Sequence, residues 1–315
     1  MNIGIIGAGK VGVSLGKYLK DNNIQISGFY DINSDDAAFA AQFTQTDCFS
    51  DLEELVNVSD TLFVTTPDGA IGSVWDCIKN MSVKKPNGST HISSGQADNT
   101  KPSCPNRLEA FDCKVKNKIV CHFSGALSSD VFTDSQDMGV SVCSLHPMLA
   151  FSDKLSSYKS IGNTFFVIEG NTAAVSTLKT LFENLGNTVC RIDKSKKSLY
   201  HAAASVLSND VIALLDLGYG LLEKCGFTRE EALRATKNLV LGNAQSVVEN
   251  GCTNALTGPV ERCDCQTVKN HLDSLEGEEK LIHLLLSKRL VLLAKDKNKS
   301  RDYSELEEFL SHGLC

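Results

Sequence analysis

Three glycines open the first motif with chemical potential. In Gly7-Ala8-Gly9-Lys10-Val11-Gly12 they occupy the first, third and sixth positions of G-x-G-x-x-G, directly behind the apolar run Ile3-Gly4-Ile5-Ile6. That spacing allows a tight turn at Gly7, close backbone approach to a pyrophosphate at Gly9, and close packing of helix on strand at Gly12. The helix N-terminus then meets the phosphate charge. A dinucleotide site formed by Gly7, Ala8, Gly9, Lys10, Val11 and Gly12 is the expectation. Such a site calls for an acidic residue about 20 positions further on to take the ribose hydroxyls. Asp31, 19 residues after Gly12 in Phe29-Tyr30-Asp31, meets that need. A carboxylate there repels a 2′-phosphate, and Asp31-Ile32-Asn33-Ser34 holds no Arg to attract one. The expected cofactor is therefore NAD or NADP, with NAD favoured. Thr66-Pro67-Asp68 follows another apolar run and falls at the strand ends where open α/β sheets bind ligands, so all three are read as cofactor contacts. A Pro-Asp turn capping the next helix is the plainer reading.

A second group of residues suits substrate chemistry. His122-Phe123-Ser124-Gly125-Ala126 ends an apolar strand in a hydroxyl and bare backbone N–H groups. Ser124, Gly125 and Ala126 could hold a carboxylate or an oxyanion, although Ser124 would equally serve as a helix N-cap. In Leu145-His146-Pro147-Met148 the proline holds His146 extended and presents its imidazole at a fixed angle. Lys197, His201 and Ser205 repeat at i, i+4 and i+8 on one helix face, with Asn209 one turn further along, among small or apolar Ala202, Ala203, Ala204, Val206 and Leu207. Polar groups on an otherwise apolar helix have work or partners. Lys197 or His201 is read as a proton donor and Asn209 as the group that orients the reacting oxygen. A solvated cluster with Lys194 and Lys196 is the plainer reading. Arg262 and Asp264 could pair, or Arg262 could meet a carboxylate bidentately. Cys263-x-Cys265 with His271 supplies two thiols and one imidazole, an incomplete zinc set, and no metal is expected.

The elements that must position these residues follow from periodicity. Short apolar strands at Ile3–Ile6, Gln25–Tyr30, Thr61–Thr65, Ser89–Ser93, Ile119–Phe123, Val140–Ser144, Thr164–Ile168 and Thr188–Ile192 alternate with helical stretches at Val11–Leu19, Ala37–Phe43, Ile71–Met81 and Ala173–Leu185. This predicts an α/β fold of βαβ units around a parallel sheet. From about residue 194 the pattern turns helical, over Ser198–Cys225, Thr228–Glu249, Cys265–Leu275 and Glu278–Ala294, with Gly226 and Gly251 as stops. The predicted division is 1–193 and 194–315. A length of 315 residues is about two domains of typical size. An apolar content of 42% with 22% charged residues excludes a disordered chain. A net charge of −7 argues against a nucleic-acid partner, which needs a basic face. Twelve cysteines scattered evenly without a C-x-x-C pair do not form a disulfide framework, and neither a signal peptide nor a membrane-length apolar run is discerned. The expectation is a reduced, cytoplasmic protein with no membrane partner, and its long apolar helices suggest a homodimer.

Gly7-x-Gly9-x-x-Gly12, His122-x-Ser124-Gly125-Ala126, Leu145-His146-Pro147, Tyr200-His201-Ala202-Ala203, Ser208-Asn209 and Ala255-Leu256-Thr257-Gly258-Pro259 with Arg262 and Asp264 together resemble one family over roughly residues 1–275. It is the Rossmann-like proteins with a DUF2520 C-terminal domain, a branch of the β-hydroxyacid dehydrogenase and pyrroline-5-carboxylate reductase group. The resemblance implies an N-terminal Rossmann domain and an all-α C-terminal domain similar to that of 6-phosphogluconate dehydrogenase. It also implies an NAD(P)-dependent reductase acting on a small keto acid. Some similar proteins are described as alternative ketopantoate reductases. The β-hydroxyacid dehydrogenase Ser-Gly-Gly turn is similar to Ser124-Gly125-Ala126, and its catalytic Lys followed four residues later by Asn matches Lys197 and His201. The change to His201 leaves the proton donor open. The family commonly shows Ser-Arg-Ser at Asp31-Ile32-Asn33 and Arg-Gly-Asp at Arg262-Cys263-Asp264. An imine reductase of pyrroline-5-carboxylate reductase type and a non-catalytic dinucleotide-binding redox sensor are the alternatives.

Overall fold

Placement of the glycine motif begins with β1 (Ile3–Ile6), α1 (Lys10–Asp21) and β2 (Ile26–Tyr30) in the computed structural model, which describes residues 1–81 and 115–312. α2 (Ser34–Thr44) starts at Asn33, whose side chain accepts from the Asp35 amide; Asp35 and Asp36 fill the first turn, where the helix dipole favours negative charge. Then come β3 (Asp47–Cys48), α3 (Leu52–Val58), β4 (Thr61–Val64), α4 (Asp68–Met81), β5 (Ile119–His122), β6 (Ser141–Pro147), β7 (Phe165–Gly170), α5 (Thr172–Asn184) and β8 (Thr188–Arg191). β3 and α3 are not predicted from the sequence, being too short to show a period. The strand predicted at Ser89–Ser93 lies outside the described residues.

The strands form one sheet in the order β3-β2-β1-β4-β5-β6-β7-β8. Its two faces follow from strand alternation. Ile3, Ile5, Phe63 and Cys121 pack with Val13, Leu178 and Phe182 on one side, whereas Ile6, Leu62, Val64 and Val120 pack with Leu55, Ile71 and Trp75 on the other. The sheet is mainly parallel, as predicted, but β7 departs from that expectation and runs antiparallel to β6. The connection between them holds only a 3-10 segment, Ser157–Asn163, and no crossover helix, so the chain re-enters the sheet from the end it left.

The chain divides into two compact units, Met1–Val206 and Leu207–Cys315. Helical periodicity starts near residue 194, but α6 (Lys197–Leu207) falls almost wholly in the first unit; periodicity reports a helix, not what it packs on. The single helix predicted over Ser198–Cys225 is two. Ser208 (φ −124°, ψ −75°) separates α6 from α7 (Asn209–Lys224). In the second unit α8 (Arg229–Ala255) opens with a capping box between Thr228 and Glu231 and kinks at Gly251 (φ 77°). α9 (Pro259–Arg262), α10 (Cys265–Asp273), α11 (Gly277–Lys297) and α12 (Ser304–His312) follow. Val260, Leu272, Leu284, Val291, Tyr303 and Leu306 form the core of this unit. Lys194–Lys224 reaches a mean hydropathy of 1.3 over 18 residues, so by length and composition it could cross a membrane. Polar and charged residues within the stretch leave it short of an unbroken apolar run of 18, and Ser208 divides it.

Candidate active site

The glycine motif behaves as its spacing predicts. Gly7 adopts φ +105°, a conformation that favours glycine. A Cβ at Gly12 would collide with the Gly7 carbonyl oxygen and lie 2.5 Å from Thr65 Oγ1, so the helix can pack this closely only without a side chain. At Gly9 a Cβ would meet nothing within 4 Å, leaving the backbone open to approach. Asp31 ends β2 with its carboxylate against the turn: Oδ2 accepts from the Ala8 amide at 2.6 Å and Oδ1 from the Asn33 amide at 2.9 Å. A carboxylate offers about four acceptor sites, so capacity remains for ribose hydroxyls. Gly7, Ala8, Gly9, Asp31, Thr66 and Pro67 line one cleft, together with Asp36 and Lys154. Thr66 Oγ1 is buried there without a partner, and a buried hydroxyl left unsatisfied costs about 1–3 kcal/mol. An open backbone, a facing carboxylate and an orphaned hydroxyl fit a dinucleotide. Lys10, Val11 and Gly12 start α1 beside the cleft rather than line it.

The carboxyl ends of β4 and β5 are level, since Val64 pairs with His122. The cleft residues after β4 and the Ser-Gly turn after β5 therefore lie side by side. Asp68 joins them, its Oδ2 accepting from Ser124 Oγ at 2.7 Å. That same hydroxyl accepts from the Ala126 and Leu127 amides at 3.1 and 2.9 Å. One donor and two acceptor sites are all a serine has. Ser124 is thus saturated within the chain and organises the turn, which leaves no hydroxyl capacity for the expected contact with a carboxylate. Asp68 serves this bond rather than lining the cofactor cleft. His122, fully buried, holds the turn from below. The Ser124 amide donates to Nδ1 at 3.2 Å, which places the proton on Nε2 and directs it to the Ser128 carbonyl, also at 3.2 Å. Burial pushes its pKa down to about 4, so the ring is neutral.

Above Gly125 two imidazoles converge. A Cβ on Gly125 would lie 2.5 Å from His201 Nδ1 and 2.9 Å from His146 Nε2, so glycine is what lets both rings approach. Their centroids are 6.1 Å apart, edge to face. Burial first, then the Lys197 and His201 charges, pushes the His146 pKa down to about 4. His146 Nδ1 lies 2.6 Å from Tyr200 Oη. Lys197 is only 2% exposed, and its Nζ donates to Ser144 Oγ at 2.5 Å; Ser144 in turn donates to the Ser124 carbonyl at 3.2 Å. Burial lowers the Lys197 pKa, with Glu169 foremost among the groups that oppose the shift. Glu169 is itself buried and accepts from the Ser129 amide and hydroxyl at 2.7 and 2.8 Å. Lys197, His201, His146 and Gly125 are therefore brought together within the first unit. Asn209 opens α7 in the second unit, with an exposed side chain. Sequence reasoning did not single out Ser144 or Glu169, although a polar residue inside an apolar strand was the available signal. A wider cavity of about 880 Å³, lined by Asp130, Asp134, Arg191 and Lys194 among others, contains none of the expected residues.

Residues 164–290 match the DUF2520 family, a domain of unknown function, and residues 1–81 match the oxidoreductase family with an NAD-binding Rossmann fold. The chain is a Rossmann-fold, NAD(P)-binding oxidoreductase that carries a DUF2520 domain. No curated protein matches it in sequence. Among solved structures it is similar to protein TM1727 from Thermotoga maritima, with a TM-score of 0.67 and 20% identity over 94% of this chain and 99% of that one. BF3122 from Bacteroides fragilis, assigned as an NADP oxidoreductase, gives a TM-score of 0.64 and 21% identity over 92% and 97%. An imine reductase from Myxococcus stipitatus in complex with NADP+ gives 0.54 and 15% over the full length of both chains. At these identities the likeness speaks for the fold.

Proposed function

We propose that the chain reduces the carbonyl group of a small keto acid with NADH. The observation that carries this reading is the convergence of His146 and His201 on Gly125, over the buried Lys197 and next to the cofactor cleft. Bound NAD(P)H supplies the hydride. The chain's own groups manage the proton and the charge. His201 is exposed, with Nδ1 at Gly125, and gives its proton to the alkoxide oxygen. Lys197 cannot relay a proton, because the Ser144 hydroxyl ends on the Ser124 carbonyl. It acts through its charge, which favours an anionic substrate and the developing alkoxide. Gly125 and Ala126 supply the backbone floor of the substrate site. An imine is the second reading, favoured by the Asp68 carboxylate at the turn. The Lys197 ammonium opposes it, because a protonated imine is a cation.

The test is NADH and NADPH oxidation at 340 nm against keto acids and cyclic imines, ketopantoate first. Reduction of a keto acid that falls at least about 100-fold in His201→Ala supports the assignment, in line with the usual contribution of a positioned acid. Reduction of imines alone, or full activity in His201→Ala, overturns it.

NADH is the proposed cofactor because the lysine that lines the cleft is already paired. Lys154, which lines the cleft, is paired with Asp36 Oδ1 at 2.6 Å. Asp31→Ser is expected to shift the NADPH-to-NADH ratio of kcat/KM upward by about tenfold, equivalent to about 1.4 kcal/mol. A wild-type preference for NADPH would contradict this assignment. We also propose a homodimer. Leu207, Ile212, Leu239 and Val248 are 63–86% exposed, and burial of these apolar side chains against a second copy is the observation that supports the dimer. Sedimentation would show a single 34.1 kDa species if this is wrong.

A further inference from the structure

Tyr200 lies one turn from Lys197 on α6 and has no part in the proton or charge chemistry assigned above. Its hydroxyl is 2.6 Å from His146 Nδ1 and 2.8 Å from Met148 Sδ. We propose that Tyr200 is a positioning residue that locks His146 in the neutral Nε2–H form, so that His146 offers a hydrogen-bond donor at Gly125 and selects substrates with an acceptor oxygen there. The inference rests on the reading of the Gly125 face as the substrate site.

The argument is one of competing donors and acceptors. A neutral imidazole has one N–H and one lone pair. Two arrangements satisfy the short contact. In the first, the tyrosine O–H donates to Nδ1, and the imidazole proton sits on Nε2. In the second, Nδ1–H donates to the tyrosine oxygen, and the phenol proton must turn to Met148. A thioether is a weak acceptor, whereas an imidazole nitrogen is a strong one. A phenol is also far more acidic than a neutral imidazole N–H, so it is the better donor. The first arrangement therefore wins. Burial pushes the Tyr200 pKa up to about 12, so the phenol keeps its proton at neutral pH.

The consequence is chemical selectivity. Nε2 is the nitrogen that faces Gly125. With a proton there, His146 cannot act as a base on an amine or alcohol. It can only donate, to a carbonyl or carboxylate oxygen. Next to it, His201 presents Nδ1 to the same point, so a fixed donor and a second imidazole nitrogen meet there. A protonated imine nitrogen, which is itself a donor, would meet an N–H at His146 and be disfavoured.

The test uses full-length protein labelled with ¹⁵N at histidine, with His146 assigned by comparison with His146→Gln. In wild type, His146 is expected to show a protonated Nε2 and a lone-pair Nδ1 near pH 7. In Tyr200→Phe, which removes only the hydroxyl, these signals should move toward a mixture of the two forms, and kcat/KM for the keto acid should fall about tenfold with NADH affinity unchanged. A protonated Nδ1 in wild type, or His146 signals unmoved by Tyr200→Phe, overturns the inference. Oxamate, a keto-acid analogue, added with NADH separates this outcome from failure of the site assignment. A shift at Nε2 supports both. The expected tautomer with no oxamate response retains the Tyr200 lock but removes the selectivity assigned to it.

Discussion

Lys197→Met is expected to cut turnover by about 100- to 1,000-fold, the usual cost of removing one group that stabilises a developing oxyanion. Methionine keeps most of the buried stem and removes the charge. Ser144 can still donate to the Ser124 carbonyl, so the turn keeps its support. Cofactor affinity should stay within about twofold, because Lys197 lies on the proposed substrate side and does not line the dinucleotide cleft. Nor should the variant be unstable. Burial lowers the Lys197 pKa, so the folded chain binds this proton less tightly than the unfolded chain. A group shifted in this way costs stability at pH 7, and the cost fades as pH rises through the lowered value. Removing the ammonium removes that cost, and Tm should not fall. Kinetics at 340 nm, NADH titration by fluorescence and a thermal melt read the three effects separately. Turnover that survives both Lys197→Met and His201→Ala would refute the mechanism.

Gly12→Val is expected to abolish NADH binding and to lower stability by about 1–3 kcal/mol, the range for forcing extra atoms into a packed site. The first atom of the new side chain would strike the Gly7 carbonyl oxygen and crowd Thr65 Oγ1, which donates to that same carbonyl at 2.8 Å. Backbone cannot yield there without opening the turn. Gly9→Ala is the control. Its methyl group meets no atom of the chain, so Tm should hold while NADH affinity falls through obstruction of the approach. Equal loss of Tm in both variants, or normal NADH binding by Gly12→Val, would show that the turn does not work as described.

What could be read in the sequence was local. The glycine spacing, the acidic residue at the end of the second strand and most strand positions each depend on a few neighbouring residues. Asp31 meets the turn at Ala8 as its position in the motif requires. The residues of the proposed substrate side could be listed from the sequence, but their geometry could not. Lys197 reaches Ser144 across 53 positions, His146 meets Tyr200 across 54, and Asp68 meets Ser124 across 56. No period or motif encodes such pairings; they follow from which strands lie side by side. The reversed direction of β7 escaped for a related reason, since apolar content predicts a strand without its sense. The saturation of Ser124 was invisible as well, because a serine in a turn reads alike whether its hydroxyl is occupied or free.

The reversed strand also bears on how the chain can be cut. The DUF2520 match begins at residue 164, one position before β7, yet β7, α5 and β8 complete the sheet of the first unit. A fragment ending at residue 163 would leave β6 as a raw edge, with its hydrogen-bonding groups from Cys143 to Pro147 stripped of their partners. It would also lose Lys197 and His201. A fragment ending at Val206 severs no strand and keeps both. Expression trials and domain exchanges that follow the family boundary would therefore divide a folding unit, whereas those that follow the sheet would not.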